Sequence, residues 1–405
     1  MITTTRTILL FGKKQARPLT LEHHSAVTGS SQRRLAKRTV LTPAIDLGNY
    51  RFRAVIDWIE FRLHFGQPTQ VQHVQAVLRR FLPRNSFIAP EDKGPGDVFS
   101  ICSIKVQEPA SLVLIATIHK ALVNTFGEAA GSRVTGIEVS VDATPKEPSD
   151  AARGLLLGAM QHTIWTDRDI WSDRMDRPRG SIGRGKSKNF TLSPDPDKDD
   201  TEVSRSVPEN HKTPFIDGTV YLGAKESDVM IRVMDKLVDA QRPDGTRDVL
   251  ADDRKRVRVE VTLKGKELEK VGITDIASLD RLNLQTFQKR YFQFMLPTFS
   301  KRDQPKTGAD ALHNTQQEWR AQTYLWSGIM ALTAMDMASA KRRKAMAPGL
   351  QKILRTMNHT TARTWAGKRL ASPVVSWAAM NSKVNVALRD LMKREATAKA
   401  RALGV

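Results

Sequence analysis

The chain has 405 residues, 40% hydrophobic and 26% charged, a composition that suits two or three globular domains and excludes a disordered one. A formal net charge of +21, with a pI near 10.2, points to a polyanionic partner, nucleic acid ahead of an anionic membrane. No apolar run nears the roughly 20 residues of a membrane span, and the lone Cys102 cannot form an internal disulfide, so a cytoplasmic protein without a membrane partner is expected.

Residues 1–44 carry 8 Lys/Arg and 1 acid, with no sustained periodicity, and are read as a flexible basic arm. The patch ILLF is shorter than the apolar region of about 7–15 residues in a signal peptide. A replication of strand and helix patterns follows. FRAVIDWIEFRLHF (52–65) reads as a strand, and TQVQHVQAVLRRFL (69–82) as a helix ended by Pro83. Residues 97–108 read as a strand, 110–126 as an apolar helix, 133–144 as an alternating strand and 150–164 as a helix. Residues 174–214 are rich in Gly, Ser, Pro and charge and form a long insert. Its basic half offers Arg184, Lys186 and Lys188 as contacts to a phosphate backbone, against an equally weighted reading as a solvated linker.

Strands resume at 219–224, 229–236 and 254–265. Helices are expected at 266–271, 275–282, 284–296, 316–340, 349–357, 360–369 and 382–402. The pair within 350–369 has the outline of a helix-turn-helix, a pattern that any two short helices around a turn share. Residues 341–405 hold 15 Lys/Arg and 2 acids, so most of the positive excess sits at the two ends of the chain. This basic C-terminal region is expected to bind duplex phosphates or a second copy of the protein.

Strand alternation locates the chemistry. In GIEVSVDA, Glu138, Ser140 and Asp142 share one face. In RVRVEVTLK, Arg256, Arg258, Glu260, Thr262 and Lys264 share another. Glu138, Asp142 and Glu260 are therefore candidate ligands for a hard divalent cation, with Arg258 and Lys264 beside a phosphodiester. The alternative is a solvated sheet with ordinary cross-strand ion pairs. If Lys225 to Asp228 form the turn of TVYLGAKESDVMIRVMDK, Tyr221 lies opposite Arg232, and Arg232, Met234 and Lys236 share its face. A Tyr and a Lys near metal-binding carboxylates suit a DNA-nicking transesterase.

That hairpin, followed by VRVEVTLKGKELEKVGI, resembles the replication initiation proteins of rolling-circle plasmids and filamentous phages. RVTGIEVSVDATPKEPSDAARGLLLGAMQH and VIDWIEFRL resemble the same family's middle and first strands. The resemblance covers about 50–272 without the insert. It implies nicking of one strand at a replication origin, through a 5′-phosphotyrosyl link and Mg2+ or Mn2+. It also implies single- and double-stranded DNA as partners, with a host helicase alongside. Arg258 and Glu260 fit the family's Arg-x-Glu strand. Gly136 and Glu138 replace its Arg-x-Asp, and Met234 stands where phage members carry the nucleophilic tyrosine.

The chain has four tyrosines. Tyr50 and Tyr324 read as packing residues. Tyr221 and Tyr291 are the candidate nucleophiles, and a chain with no nucleophile weighs about as much as Tyr221. Three functions stay open: a nicking initiator, a non-nicking origin-binding relative, and an RNA-binding protein with an RRM-like sheet. The expected fold is α+β, a mainly antiparallel sheet of ferredoxin-like or RRM-like βαβ units in 45–272, followed by a helical region at 273–405.

Overall fold

The computed structural model describes residues 3–10, 17–29, 35–83, 86–166, 168, 179–180, 215–216, 219–223, 226–241, 247–301, 303–345, 348–349 and 374–404. In chain order the strands are β1 (Thr3–Leu10), β2 (Arg17–Val27), β3 (Thr39–Pro43), β4 (Tyr50–Thr69), β5 (Phe87–Pro90), β6 (Phe99–Gln107) and β7 (Ala130–Pro145). They continue with β8 (Ile164–Trp165), β9 (Arg179–Gly180), β10 (Phe215–Ile216), β11 (Thr219–Leu222), β12 (Val229–Lys236), β13 (Val238–Gln241) and β14 (Arg247–Val249). The last are β15 (Arg256–Lys264), β16 (Gln293–Phe299) and β17 (Val374–Ser376). The α-helices are α1 (Val71–Leu78), α2 (Leu112–Phe126), α3 (Asp150–Thr163), α4 (Gly265–Lys270), α5 (Leu284–Arg290), α6 (Gly308–Ala345) and α7 (Ala378–Leu403).

The result is a mixed α/β fold whose main sheet is antiparallel and is followed by C-terminal helices. Eight strands run in the order β5-β6-β4-β7-β15-β12-β11-β9. Alternation decides its two faces. Ile137, Val139 and Val141 of β7, Val257, Val259, Val261 and Leu263 of β15, and Val229, Ile231 and Val233 of β12 are all buried. They share one core with Leu156, Leu157 and Met160 of α3, Ile115 and Leu122 of α2, and Met380, Val384 and Leu388 of α7. Each such side chain contributes about 1.5–3 kcal/mol by leaving water. Ser111 and Ser149 start α2 and α3 by accepting from Leu114 N and Ala152 N, satisfying helix N–H groups that have no intrahelical partner. The opposite sheet face keeps its polar residues and carries the candidate site.

Three elements differ from expectation. Where a flexible arm is expected, β1 and β2 pair antiparallel, and β2 pairs with β3. Leu21 and His23 of β2 and Val40 and Leu41 of β3 are buried, so this basic segment still supplies core residues. A second sheet results, in the order β10-β1-β2-β3-β16-β17, with β8 against β16. The helix expected over 284–296 ends at Arg290. After it, Phe294, Leu296 and Thr298 turn inward with period two, and Pro297 cannot sit inside a helix, so the apolar run is β16. Asn381 secures that strand by accepting from Phe294 N and donating to Phe294 O. The suggested helix-turn-helix at 350–369 lies outside the described residues.

A candidate carboxylate and tyrosine site on the polar sheet face

The site follows from register. Glu138, Ser140 and Asp142 of β7 lie opposite Thr262, Glu260 and Arg258 of β15. On β12, Met230, Arg232, Met234 and Lys236 lie opposite Thr262, Glu260, Arg258 and Arg256. The hairpin then puts Tyr221 opposite Arg232 and Thr219 opposite Met234, the register expected from its turn. Directly opposed residues share a face, so all of these side chains rise from one side of the sheet.

The first strand adds a carboxylate that alternation conceals. In β4, Ile56 pairs with Val139 and Trp58 with Glu138, leaving Asp57 as an extra residue in a β-bulge. Strict alternation would place Asp57 with the buried Ile59 and Phe61 on the apolar face. The bulge shifts the phase by one residue and brings Asp57 to the polar side. There Ser140 Oγ donates to Asp57 Oδ2 at 2.6 Å. One oxygen each from Asp57, Glu138 and Glu260 lie within 4.8 Å of one another, and all three residues are buried.

Asp142, expected as a metal ligand, is engaged otherwise. Arg258 Nε and Nη2 donate to its two oxygens at 2.6 and 2.8 Å, and Arg256 Nε lies 2.9 Å from Oδ2. A guanidinium fork of this kind occupies both oxygens of a carboxylate. Among the described residues the carboxylates that cluster are those of Asp57, Glu138 and Glu260, while Asp142, expected beside Glu138 and Glu260, is bound by Arg258 and Arg256. Arg258 Nη1 also donates to Asp57 Oδ1 at 2.8 Å and lies 3.8 Å from Glu260 Oε1. Burial opposes its charge, but the hydrogen bonds and charge of Asp142, then the charge of Asp57, hold the guanidinium above its ordinary value. Arg258, expected beside a phosphodiester, is buried and bridges Asp142 and Asp57. Arg232 donates to Glu260 and approaches Glu138 Oε1 at 3.9 Å, while Thr262 donates to Glu138.

Three clustered carboxylate oxygens could hold a hard divalent cation. Without one, mutual repulsion among these acids is offset by Arg232 and Arg258. Each pair has its desolvation repaid only through this dense hydrogen bonding.

The four tyrosines separate cleanly. Tyr50 donates to Ala152 O at 2.8 Å, and Tyr324 is fully buried in the core. Tyr291 is 3% exposed and donates to Glu267 Oε2 at 2.8 Å. Burial, then that carboxylate, push its hydroxyl well above the ordinary value, and Phe287 packs edge-on against its ring. Tyr221 alone among them is half-buried on the face of the carboxylates, one strand from Arg232 and two from Glu260.

The Asp-Lys pair at the end of β12 splits between the faces. Asp235 turns to the helix side, where Arg153 of α3 donates to it at 2.6 Å. Lys236 turns to the site face, four residues along β12 from Arg232. Its ammonium is pushed below the ordinary value by burial, then by Arg258, while Asp57 acts the other way. Lys264 ends β15 opposite Gly136. Arg184, Lys186 and Lys188 lie outside the described residues. Gly136 itself has a steric reason: a Cβ there would stand 2.7 Å from Trp58 Cζ3, whose ring also carries Lys105 Nζ at 3.6 Å.

No protein family's pattern matches the chain, and no curated protein matches it. Among solved structures, a rolling circle replication initiator protein from Geobacillus stearothermophilus is similar at 12% sequence identity and a TM-score of 0.28, over 63% of this chain and 90% of that one. A 3-hydroxy-3-methylglutaryl-coenzyme A reductase from Streptococcus pneumoniae is similar at 9% identity and a TM-score of 0.17, over 91% of this chain and 85% of that one. Both are weak, low-identity likenesses, and neither carries an argument about what this chain does.

Proposed function

We propose that the chain is a DNA-nicking replication initiator of the rolling-circle kind, acting on one strand at an origin with Tyr221 as nucleophile. The observation that carries this reading is the buried Asp57, Glu138 and Glu260 cluster, on the same face as an accessible tyrosine in a strongly basic protein. In this reading the Tyr221 oxygen attacks phosphorus and its proton leaves to solvent. The bond from phosphorus to the 3′ oxygen breaks, leaving a free 3′ hydroxyl and a 5′-phosphotyrosyl link. Arg232, opposite Tyr221, offsets negative charge on the phenolate and the phosphoryl oxygens. A divalent cation held by Asp57, Glu138 and Glu260 would polarise the phosphoryl group. Ser140, Thr262 and Arg258 fix those carboxylates through the bonds described above. In this reading the main sheet is built of ferredoxin-like βαβ units, and a host helicase works alongside the chain.

The test uses a supercoiled plasmid bearing the DNA around the chain's own coding sequence, with Mg2+ or Mn2+. Open circles carrying covalently bound protein are expected, and Tyr221→Phe abolishes the adduct while Tyr291→Phe keeps it. An adduct that survives Tyr221→Phe refutes this assignment. Met234 supports a second reading, a non-nicking origin binder, because it occupies the position of the phage-type nucleophile. That reading predicts specific binding without an adduct, and an adduct in Met234→Tyr.

A further inference from the structure

Past the carboxylates, the same sheet face turns basic. Lys236 lies directly opposite Arg256. Arg53 lies opposite Asp142 and Arg51 opposite Thr144, and both arginines are exposed. Between 50 and 57, β4 is an open edge, because β6 pairs with it only from Trp58 onward. Arg394 of α7 reaches round this edge to donate to Ala54 O. Burial, then the neighbouring Arg53, push the Arg394 guanidinium below its ordinary value.

The acids beside these cations are shared with other partners. Asp142 pairs with Arg256 and also accepts from Arg258 through both its oxygens. Near Arg394, Glu395 accepts from Leu112 N and Asp390 pairs with Lys393 at 3.6 Å. Like charges placed opposite one another destabilise a sheet, so a set of this kind is favoured where an anion bridges it. Neighbouring strands lie about 4.8 Å apart, so β12 to β4 spans about 14 Å. That is room for about two to four consecutive phosphates of one strand.

We propose that Lys236, Arg256, Arg53, Arg51 and Arg394 form a track for the backbone of single-stranded DNA, crossing the sheet beside the carboxylate cluster. The track rests on the nucleic-acid reading above and extends it to the path of the strand. Arg53 lies in the row two residues along the strands from the Arg232–Glu260 row, about 7 Å away, and Lys236, Arg256 and Arg51 lie in the row four residues away, about 14 Å, so the gripped phosphates stand within about two nucleotides of the reacting one. A single strand lies flat along such a row, whereas a duplex holds its two backbones apart across grooves.

The experiment measures binding of a labelled 20-nucleotide single strand by the full chain in chelator, across a salt series. Arg51→Gln with Arg53→Gln is expected to weaken binding about tenfold at low salt. It should also flatten the slope of log affinity against log salt by about 1.4, at about 0.7 for each lost phosphate contact. Lys93→Gln with Lys301→Gln removes the same charge elsewhere and should leave the slope unchanged. Equal slopes in the two double variants, or tighter binding to a duplex of the same length than to the single strand, would overturn the track. Because no metal is present, this result is independent of the Tyr221 adduct. Nicking with an unchanged slope sinks the track alone, and a flattened slope without an adduct sinks the nicking reading alone.

Discussion

Arg258 grips Asp142 with a two-pronged contact and Asp57 with its remaining nitrogen, so one buried side chain fixes carboxylates on two other strands. Replacing it with Leu leaves those acids buried and uncompensated, which should cost about 3–5 kcal/mol in a urea titration. Metal affinity should divide the acids differently. Titration calorimetry with Mn2+ is expected to show Glu260→Gln losing most of its binding and Asp142→Asn keeping more, since Asp142 stands outside the trio. Equal losses would restore Asp142 as a ligand. Tyr291 gives a pH-dependent case. Burial works against the Glu267 charge, but Lys270 and then Tyr291 hold this carboxyl below its ordinary value. Its contribution to stability is therefore full above the unfolded value of about 4.3 and is lost as pH falls through the lower folded value. Tyr291→Phe should destabilise by about 1–2 kcal/mol at pH 7, with the difference from wild type shrinking in acid. Glu138 and Glu260 are legible from alternation in their strands. Asp57 is not, because a single inserted residue reverses the phase and no composition signal marks it.

The hairpin β11–β12 is the element most completely written in the sequence. Its turn length fixes register, and register places Tyr221 opposite Arg232. Gly223, after β11, has φ of +95°, and a Cβ there would stand 2.4 Å from Val229 O. Gly223→Ala should therefore disturb the hairpin by more than the ordinary cost of about 1 kcal/mol for a forbidden φ, and reduce any Tyr221 adduct with it. The middle strand is readable in outline, but its Gly136 needs β4 to be understood. Trp58 fills the space above Gly136, so Gly136→Arg alone should overpack the sheet by about 1–3 kcal/mol, seen as a lower melting temperature. Adding Trp58→Ala should relieve that clash. The second sheet is less legible. β1, β2 and β3 are consecutive, but β8, β10, β16 and β17 come from distant parts of the chain, and β16 follows α5 with one apolar run, where pairing to β3 and β17 decides between helix and strand.

At the scale of the molecule, charge and burial act on different faces. The apolar face of the large sheet is closed by α2, α3 and α7, while the polar face holds acids at its centre and cations at one end. Among the described residues no helix is long and apolar enough to cross a membrane. Composition shows the net charge of +21, but the grouping of Arg51, Arg53 and Lys236 on one face depends on strands that are distant in sequence.

The docking of α7 on β4 has a bearing on how the protein is made. During synthesis the entire sheet leaves the ribosome before the helix that completes its cover. At 5–20 residues per second that interval lasts about 6–23 s. Through it the nascent chain shows an uncovered apolar surface to chaperones and proteases. A premature stop before residue 378 should therefore yield a short-lived product, seen as faster turnover of the truncated chain than of the full one.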